Sequence, residues 1–183
     1  LSANAGINDV NLTWSAFTGD SWDVVISTTS IDPSIQSGDV ANENSLSTSF
    51  NYSGLNPNTT YYWYVKTNCS GGTESEWSAE ATFTTQCASF NLPFSEDFEG
   101  GMPNCWTILN DDGSTTTWEI STLYNHTNGG ANSIRHNYNL SNTEDGWLIT
   151  PALILPANQI INLSFWSYNN YPIDYDENSV WVS

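Results

Sequence analysis

Phe94-Ser95-Glu96-Asp97-Phe98-Glu99-Gly100-Gly101-Met102-Pro103-Asn104-Cys105-Trp106 divides the chain. Large aromatics that favour burial alternate in it with carboxylates that favour water, which is the period of a strand with one covered face. Phe94, Glu96 and Phe98 fall on one face of that strand, Asp97 and Glu99 on the other. Gly100-Gly101 then turns the chain, and Cys105-Trp106-Thr107-Ile108 reads as a second strand. Upstream of this stretch the signals describe one small β module; downstream they describe another that begins here.

Working upstream, Val10, Leu12 and Trp14 alternate with polar residues, and so do Trp22, Val24 and Ile26. Leu46, Thr48 and Phe50 predict a further short strand. Tyr61, Trp63 and Val65 share one face of the next, with Tyr62, Tyr64 and Lys66 on its reverse. Trp77, Ala79, Ala81 and Phe83 predict the last. Thr18-Gly19-Asp20, Ile31-Asp32-Pro33 and Gly71-Gly72 supply turns between them. Short strands at regular spacing predict an all-β sandwich over residues 1–86.

Downstream, Trp118 and Ile120 mark one strand and Ser133–His136 a short one in an Asn-rich region. Gly146–Leu155 reads as strand, proline, strand. Ile161, Leu163 and Phe165 alternate with Trp166 and Tyr168, and Val180 and Val182 open a strand near the end. No segment carries a helical period, so the expectation is all-β throughout. The chain starts without Met and stops within a strand pattern, which predicts a piece of a longer polypeptide.

Composition narrows the function classes. Among 183 residues, 20 acidic side chains face two basic ones, Lys66 and Arg135, for a formal charge of −18. Such a surface cannot neutralise phosphates, which excludes nucleic acid and disfavours anionic membranes. No apolar run reaches the roughly 20 residues of a membrane span. The Asn/Ser/Thr-rich surface suits an extracellular, secreted or cell-surface protein.

Two family resemblances follow from these residues. Leu55-Asn56-Pro57-Asn58-Thr59-Thr60-Tyr61, Trp14, Glu76-Trp77-Ser78 and Phe83-Thr84-Thr85 resemble a fibronectin type III domain. The resemblance implies that Trp14 packs the core and that Tyr61 makes a tyrosine-corner hydrogen bond. This sequence departs from that family at the N-terminus, where the usual proline-marked first strand is short or missing. The resemblance implies a spacer or binding scaffold, not chemistry. Leu92-Pro93-Phe94 through Glu99, Pro103-Asn104-Cys105-Trp106, Asp111-Asp112-Gly113 with Trp118, Gly146-Trp147-Leu148-Ile149-Thr150-Pro151 and Leu163-Ser164-Phe165-Trp166 resemble the cleaved-adhesin (MAM-like) jelly rolls of secreted Bacteroidetes proteins. On this reading residues 87–183 form such a jelly roll, C-terminally incomplete. The joint expectation is a non-catalytic adhesion or spacer fragment of a large surface protein. Its partners would be a host or environmental glycan or protein, or neighbouring modules of the same polypeptide. The alternatives are an accessory carbohydrate-binding region of a secreted hydrolase or protease, and a subunit of a surface fibre.

Site residues come last. Asp97 and Glu99, on one face of a strand, would stand roughly 7 Å apart and repel. Ca²⁺ takes six to eight oxygens and would relieve this, with Asp111 or Asp112 arriving from the next loop. The cleaved-adhesin resemblance implies such a structural calcium. Trp166, Tyr168 and Tyr171, with Asn169 and Asn170 between them, form a candidate ligand platform on which sugar rings could stack. The competing reading packs these rings against other modules or a sheet face. Cys69, Cys87 and Cys105 fit no zinc spacing. Cys69 and Cys87 fall at opposite ends of a hairpin, too far apart for the Cα separation of about 6 Å that a disulfide needs. Cys87 with Cys105 is the preferred disulfide, and three unpaired thiols are the alternative. His126 and His136 have no nucleophile tied to them and read as exposed loop residues, so no reaction is expected.

Overall fold

Eight strands occupy the described residues of the first half: β1 (Ser2–Ala5), β2 (Asp9–Thr13), β3 (Ser21–Ser27), β4 (Ala41–Ser45), β5 (Ser49–Ser53), β6 (Thr60–Cys69), β7 (Thr73–Glu74) and β8 (Ala81–Thr84). The second half holds β9 (Phe90–Asn91), β10 (Thr107–Asn110), β11 (Trp118–Ser121), β12 (Ser133–His136), β13 (Gly146–Ile149) and β14 (Leu153–Ile154). The computed structural model describes residues 1–15, 19–35, 40–110, 117–137, 145–169 and 179–182. Among them there is no α-helix, only a 3₁₀ turn at Pro33–Ile35, so the fold class is all-β as expected. The chain divides into two units, Leu1–Ser89 and Phe90–Ser183.

The first unit is a sandwich of two antiparallel sheets. One has the order β1-β2-β5; the other has the order β4-β3-β6-β7, with β8 on the remaining part of β6. Alternation decides what each strand buries. Val10 and Leu12 face inward from β2 and meet Trp22, Val24 and Ile26 of β3 and Tyr61, Trp63 and Val65 of β6 in one core cluster. Trp14 packs edge-on to Trp22 at 6.3 Å and tilted to Trp63 at 6.4 Å. Tyr61 stacks on Phe83 at 5.4 Å, and its hydroxyl accepts the Asn56 N–H at 2.9 Å, the tyrosine corner.

The first strand is short as read, Ser2–Ala5, paired with β2 from Ser2–Thr13 to Ala5–Val10. Two details differ from the sequence expectation. Leu46 is exposed in the turn between β4 and β5 rather than in a strand. The Ser45 hydroxyl closes that turn on the Ser47 and Ser49 carbonyls, so a polar residue is buried where an apolar one was expected. The run from Trp77 to Phe83 is not one strand; only Ala81–Thr84 pairs with β6. Across the gap the Ser75 and Ser78 hydroxyls accept the N–H groups of Thr67 and Val65, so β6 keeps its hydrogen bonds where the ladder lapses.

In the second unit the described strands pair two by two: β10 with β13 and β11 with β12, both antiparallel, and β9 with β14, parallel. Glu119 and Arg135 stand opposite each other in the β11–β12 ladder and form an ion pair at 2.6 Å. Phe98 and Phe94 approach Trp106 at 5.4 and 6.4 Å, and Phe90 meets Phe94 at 5.5 Å. This aromatic chain is the apolar centre of the unit's first third. Ile161, Leu163 and Phe165 do not form the predicted strand, nor do Val180 and Val182; all are exposed and lack a ladder partner among the described residues.

Candidate functional site

The acidic stretch is a turn, not a strand. Glu96 Oε1 accepts the Phe98 N–H at 2.7 Å, and Asp97 Oδ1 accepts the Glu99 N–H at 3.1 Å. Each carboxylate thus binds the backbone two residues on and offers it an alternative to a ladder. The Gly101 N–H then reaches the Phe98 carbonyl at 3.1 Å. Phe98 takes φ 61°, a left-handed conformation rare for a bulky residue, and Cys105 takes φ 70°. The strand predicted to open at Cys105 begins at Thr107.

The turn sends Asp97 and Glu99 in different directions. Asp97 is exposed. Glu99 is half-buried against the loop before β12, where its Oε2 accepts the Ala131 N–H at 2.8 Å and both oxygens share the Asn132 N–H at 3.2 Å. The Asn132 amide returns a bond to the Glu99 carbonyl at 3.1 Å. A Cβ on Gly130 would collide with the Glu99 carboxylate, so only glycine admits this approach. Glu99 therefore already serves as a staple between two loops. Asp111 and Asp112 lie outside the described residues. Among the described residues no three His, Cys, Asp or Glu groups gather as a metal site, so those donors alone do not make up a calcium set.

The aromatic candidates behave otherwise. Trp166 is 77% exposed and Tyr168 is also exposed, while Tyr171 lies outside the described residues. Trp166 lies flat on His126, with ring centroids 3.7 Å apart and planes 14° from parallel. Tyr168 lies on Tyr124 at 4.5 Å and 33°. The sequence reading left Tyr124 and His126 out of the platform. Their only signal was an aromatic alternation around Asn125. His136 ends β12, the short strand expected at Ser133–His136, and is half-buried there rather than exposed, edge-on to Trp118 at 5.3 Å. Trp118 Nε1 donates to the Gly146 carbonyl at 3.0 Å, and a Cβ on Gly146 would strike the His136 ring.

Cys87 and Cys105 are disulfide-bonded, and the Cys69 thiol stands outside that bond. Several groups of the first unit have displaced titration. Lys66, 10% exposed, bonds Glu74 at 2.7 Å and Asp23 at 3.3 Å and lies 5.1 Å from the Trp77 ring. The Glu74 bond, opposed by burial and helped by Asp23, holds its ammonium above the ordinary lysine value. Burial pushes Asp23 up, but bonds from Asn44, Asn68 and Lys66, with the Lys66 charge, bring it below its ordinary value. Burial and the Glu80 bond push the Tyr64 hydroxyl up; it donates to Glu80 at 2.6 Å and accepts the Ile31 N–H. These groups brace the outer face of β6.

Residues 91–183 match the family described as the Cleaved Adhesin Domain, just over half of the chain. The chain belongs to the cleaved-adhesin family. Ahead of the cleaved-adhesin part, residues 11–89 match the family described as the Rha78A-like, N-terminal immunoglobulin domain. The arrangement expected from the residues, a fibronectin type III-like β-sandwich followed by a cleaved-adhesin domain, is matched, with an immunoglobulin-type model covering the sandwich. Modules of both kinds are typically non-catalytic, and together they point to an adhesion or accessory module. No curated protein matches the chain significantly. Among solved structures, an alpha-L-rhamnosidase from Dictyoglumus thermophilum aligns at 19% identity and a TM-score of 0.38, over 74% of this chain and 15% of that one. The chitinase ChiA74 from Bacillus thuringiensis aligns at 15% identity and 0.36, over 84% and 26%. The chain thus spans about a quarter or less of these enzymes, and likenesses this distant bear on neither fold nor function here. No helix among the described residues is long and apolar enough to cross a membrane.

Proposed function

We propose that the chain is a non-catalytic adhesion and spacing module that works outside the cell, with the sandwich as spacer and the cleaved-adhesin unit as the part that meets a partner. The observation that carries this reading is the cleaved-adhesin match over residues 91–183. The charge of −18 supports it, because a strongly acidic surface keeps such a module soluble and off anionic membranes. The partner is a glycan or a protein on a surface, not a nucleic acid. Beads coated with the 183-residue chain should adhere to glycan- or protein-coated surfaces and should hydrolyse no glycoside or peptide. Turnover of any such substrate overturns the non-catalytic reading, and failure to adhere to any surface overturns adhesion.

Calcium belongs to the same proposal. Twenty acids with two basic partners leave many carboxylates dependent on water or a divalent ion; Asp97 is an exposed one, and Asp111 and Asp112 follow it in sequence. Calcium would supply charge neutralisation there, not reactivity. Chelation with EDTA should lower the melting temperature and added Ca²⁺ should restore it. A melting curve indifferent to both removes calcium from the proposal and leaves adhesion standing.

A further inference from the structure

Two segments of the cleaved-adhesin unit, far apart in sequence, bring four rings together on its surface. Tyr124 meets Tyr168 and His126 meets Trp166, so two residues forward on one segment correspond to two residues back on the other. The two pairs run in opposite chain directions, so Trp166 and Tyr168, two residues apart, meet the same segment. The stacks cover one face of each ring and fix its orientation; the 77% exposure of Trp166 leaves its other face to solvent. Flat apolar faces in fixed orientation lose little freedom on binding.

The chemistry around the rings selects the occupant. Residues 122–132 and 160–169 contain no Asp, Glu, Lys or Arg, in a chain with 20 acids. Their polar groups are Asn, Ser and Thr, with Asn125 between Tyr124 and His126 and Ser167 between Trp166 and Tyr168. Capture of a cation would call for carboxylates beside the rings, and capture of an anion for basic groups. Rings flanked by hydroxyls and amides suit a sugar, whose axial C–H face is apolar and whose rim is hydroxyl; the Glu99 carboxylate that reaches this loop is engaged by the Ala131 and Asn132 N–H groups. We propose that Tyr124, His126, Trp166 and Tyr168 form a binding platform for a neutral oligosaccharide. Trp166 is the principal stacking face, and His126 holds it in place from behind. The proposal rests on the adhesion reading and names its ligand.

The test titrates the 183-residue chain with neutral hexasaccharides of glucose, xylose and N-acetylglucosamine, with hexagalacturonate as the anionic probe and hexalysine as the cationic one. Tryptophan fluorescence and calorimetry give the readout. At least one neutral hexasaccharide should bind and shift the fluorescence. Trp166→Ala should weaken that binding at least tenfold, Trp166→Phe should lose less, and His126→Ala should weaken it several-fold. Tyr62→Ala, in the first unit, should leave it unchanged. The melting temperature of Trp166→Ala should match that of the parent, which separates lost contact from lost fold. Binding unaffected by Trp166→Ala overturns the platform, as does binding of hexalysine or hexagalacturonate without any neutral sugar. If no sugar binds but the coated beads still adhere, the platform falls and the adhesion reading survives.

Discussion

In the first unit Trp14 meets Trp22 at 6.3 Å and Trp63 at 6.4 Å, and all three are buried. In the second unit Trp147, Trp166 and Trp181 are all exposed, although Trp147 also has a tryptophan neighbour, Trp181, at 6.5 Å. The residue type is the same, and so is its taste for other rings. What differs is the layer opposite. A second sheet covers the inner face of β3 and β6, and among the described residues every buried core hydrophobic lies between Val10 and Phe83. The described strands of the second unit pair only two by two, and a pair has no opposite layer of its own to bury against. Its tight features are polar instead: the Glu99 staple, the Glu119–Arg135 pair and the Trp118 bond to Gly146.

The sharpest way to break this contrast is to truncate one tryptophan in each unit. Trp63 is 1% exposed and Trp166 is 77% exposed. Trp63→Ala should destabilise the first unit by about 3–5 kcal/mol, the transfer term of a large ring plus the cavity it leaves. Trp166→Ala should stay within about 0.5 kcal/mol, as for a surface side chain. Urea unfolding followed by circular dichroism reads both. Equal losses at the two sites would mean that Trp166 is covered in solution, and the contrast between the units would be lost.

The same contrast explains what could be read from residues alone. Val10, Leu12, Tyr61, Trp63 and Val65 announce their strands because each faces a covered core, and coverage on one side imposes a period of two. β4 has no such pattern: of Ala41-Asn42-Glu43-Asn44-Ser45 only the two ends are buried, so it is held by pairing with β3 and by polar side chains such as Asn44, which bonds Ser21 and Asp23, and not by an apolar alternation. Phe94 to Phe98 do alternate in burial as read, yet Glu96 and Asp97 bond their own backbone and turn the chain. Periodicity reports which side is covered; it is blind to where a carboxylate sends its hydrogen bonds. Ile161, Leu163 and Phe165 show the converse, a strand pattern without a strand. The ring platform was half legible. Trp166 and Tyr168 stand out by type, but Tyr124 and His126 join them across about 40 residues of sequence, a pairing that no local signal encodes.

A middle-sized effect should come from the polar side of the comparison. Glu99→Ala removes the acceptor of the Ala131 and Asn132 N–H groups. Losing the partner of a half-buried donor costs about 1–3 kcal/mol. The loss should be confined to the second unit and should appear as faster amide exchange at Ala131 and Asn132, with Tyr61 and Trp63 unchanged. Unchanged exchange at both positions would show that the staple does not hold the loop.

The smallest effect concerns the charges that brace the first unit. The Asp23 carboxyl is held below its ordinary value, so its contribution is full above the unfolded value of about 4 and is lost as pH falls through the folded one. Glu80, bonded by Ser30 and Tyr64, and Asp32, bonded by Ser34, carry the same sign. Lys66 carries the opposite one: held above its ordinary value, it contributes fully below the unfolded value near 10 and fades as pH rises through the folded one. Between these limits the Lys66 cluster is intact. Asp23 is only partly covered, so screening keeps its share at about 1 kcal/mol or less. Asp23→Asn should therefore destabilise the first unit slightly at neutral pH, and the difference from the parent should shrink below about pH 4, where the parent's own carboxyl protonates. A deficit of the same size at pH 2.5 and pH 7 would assign the loss to the Asn44 and Asn68 hydrogen bonds rather than to charge, because those bonds do not require Asp23 to be ionised.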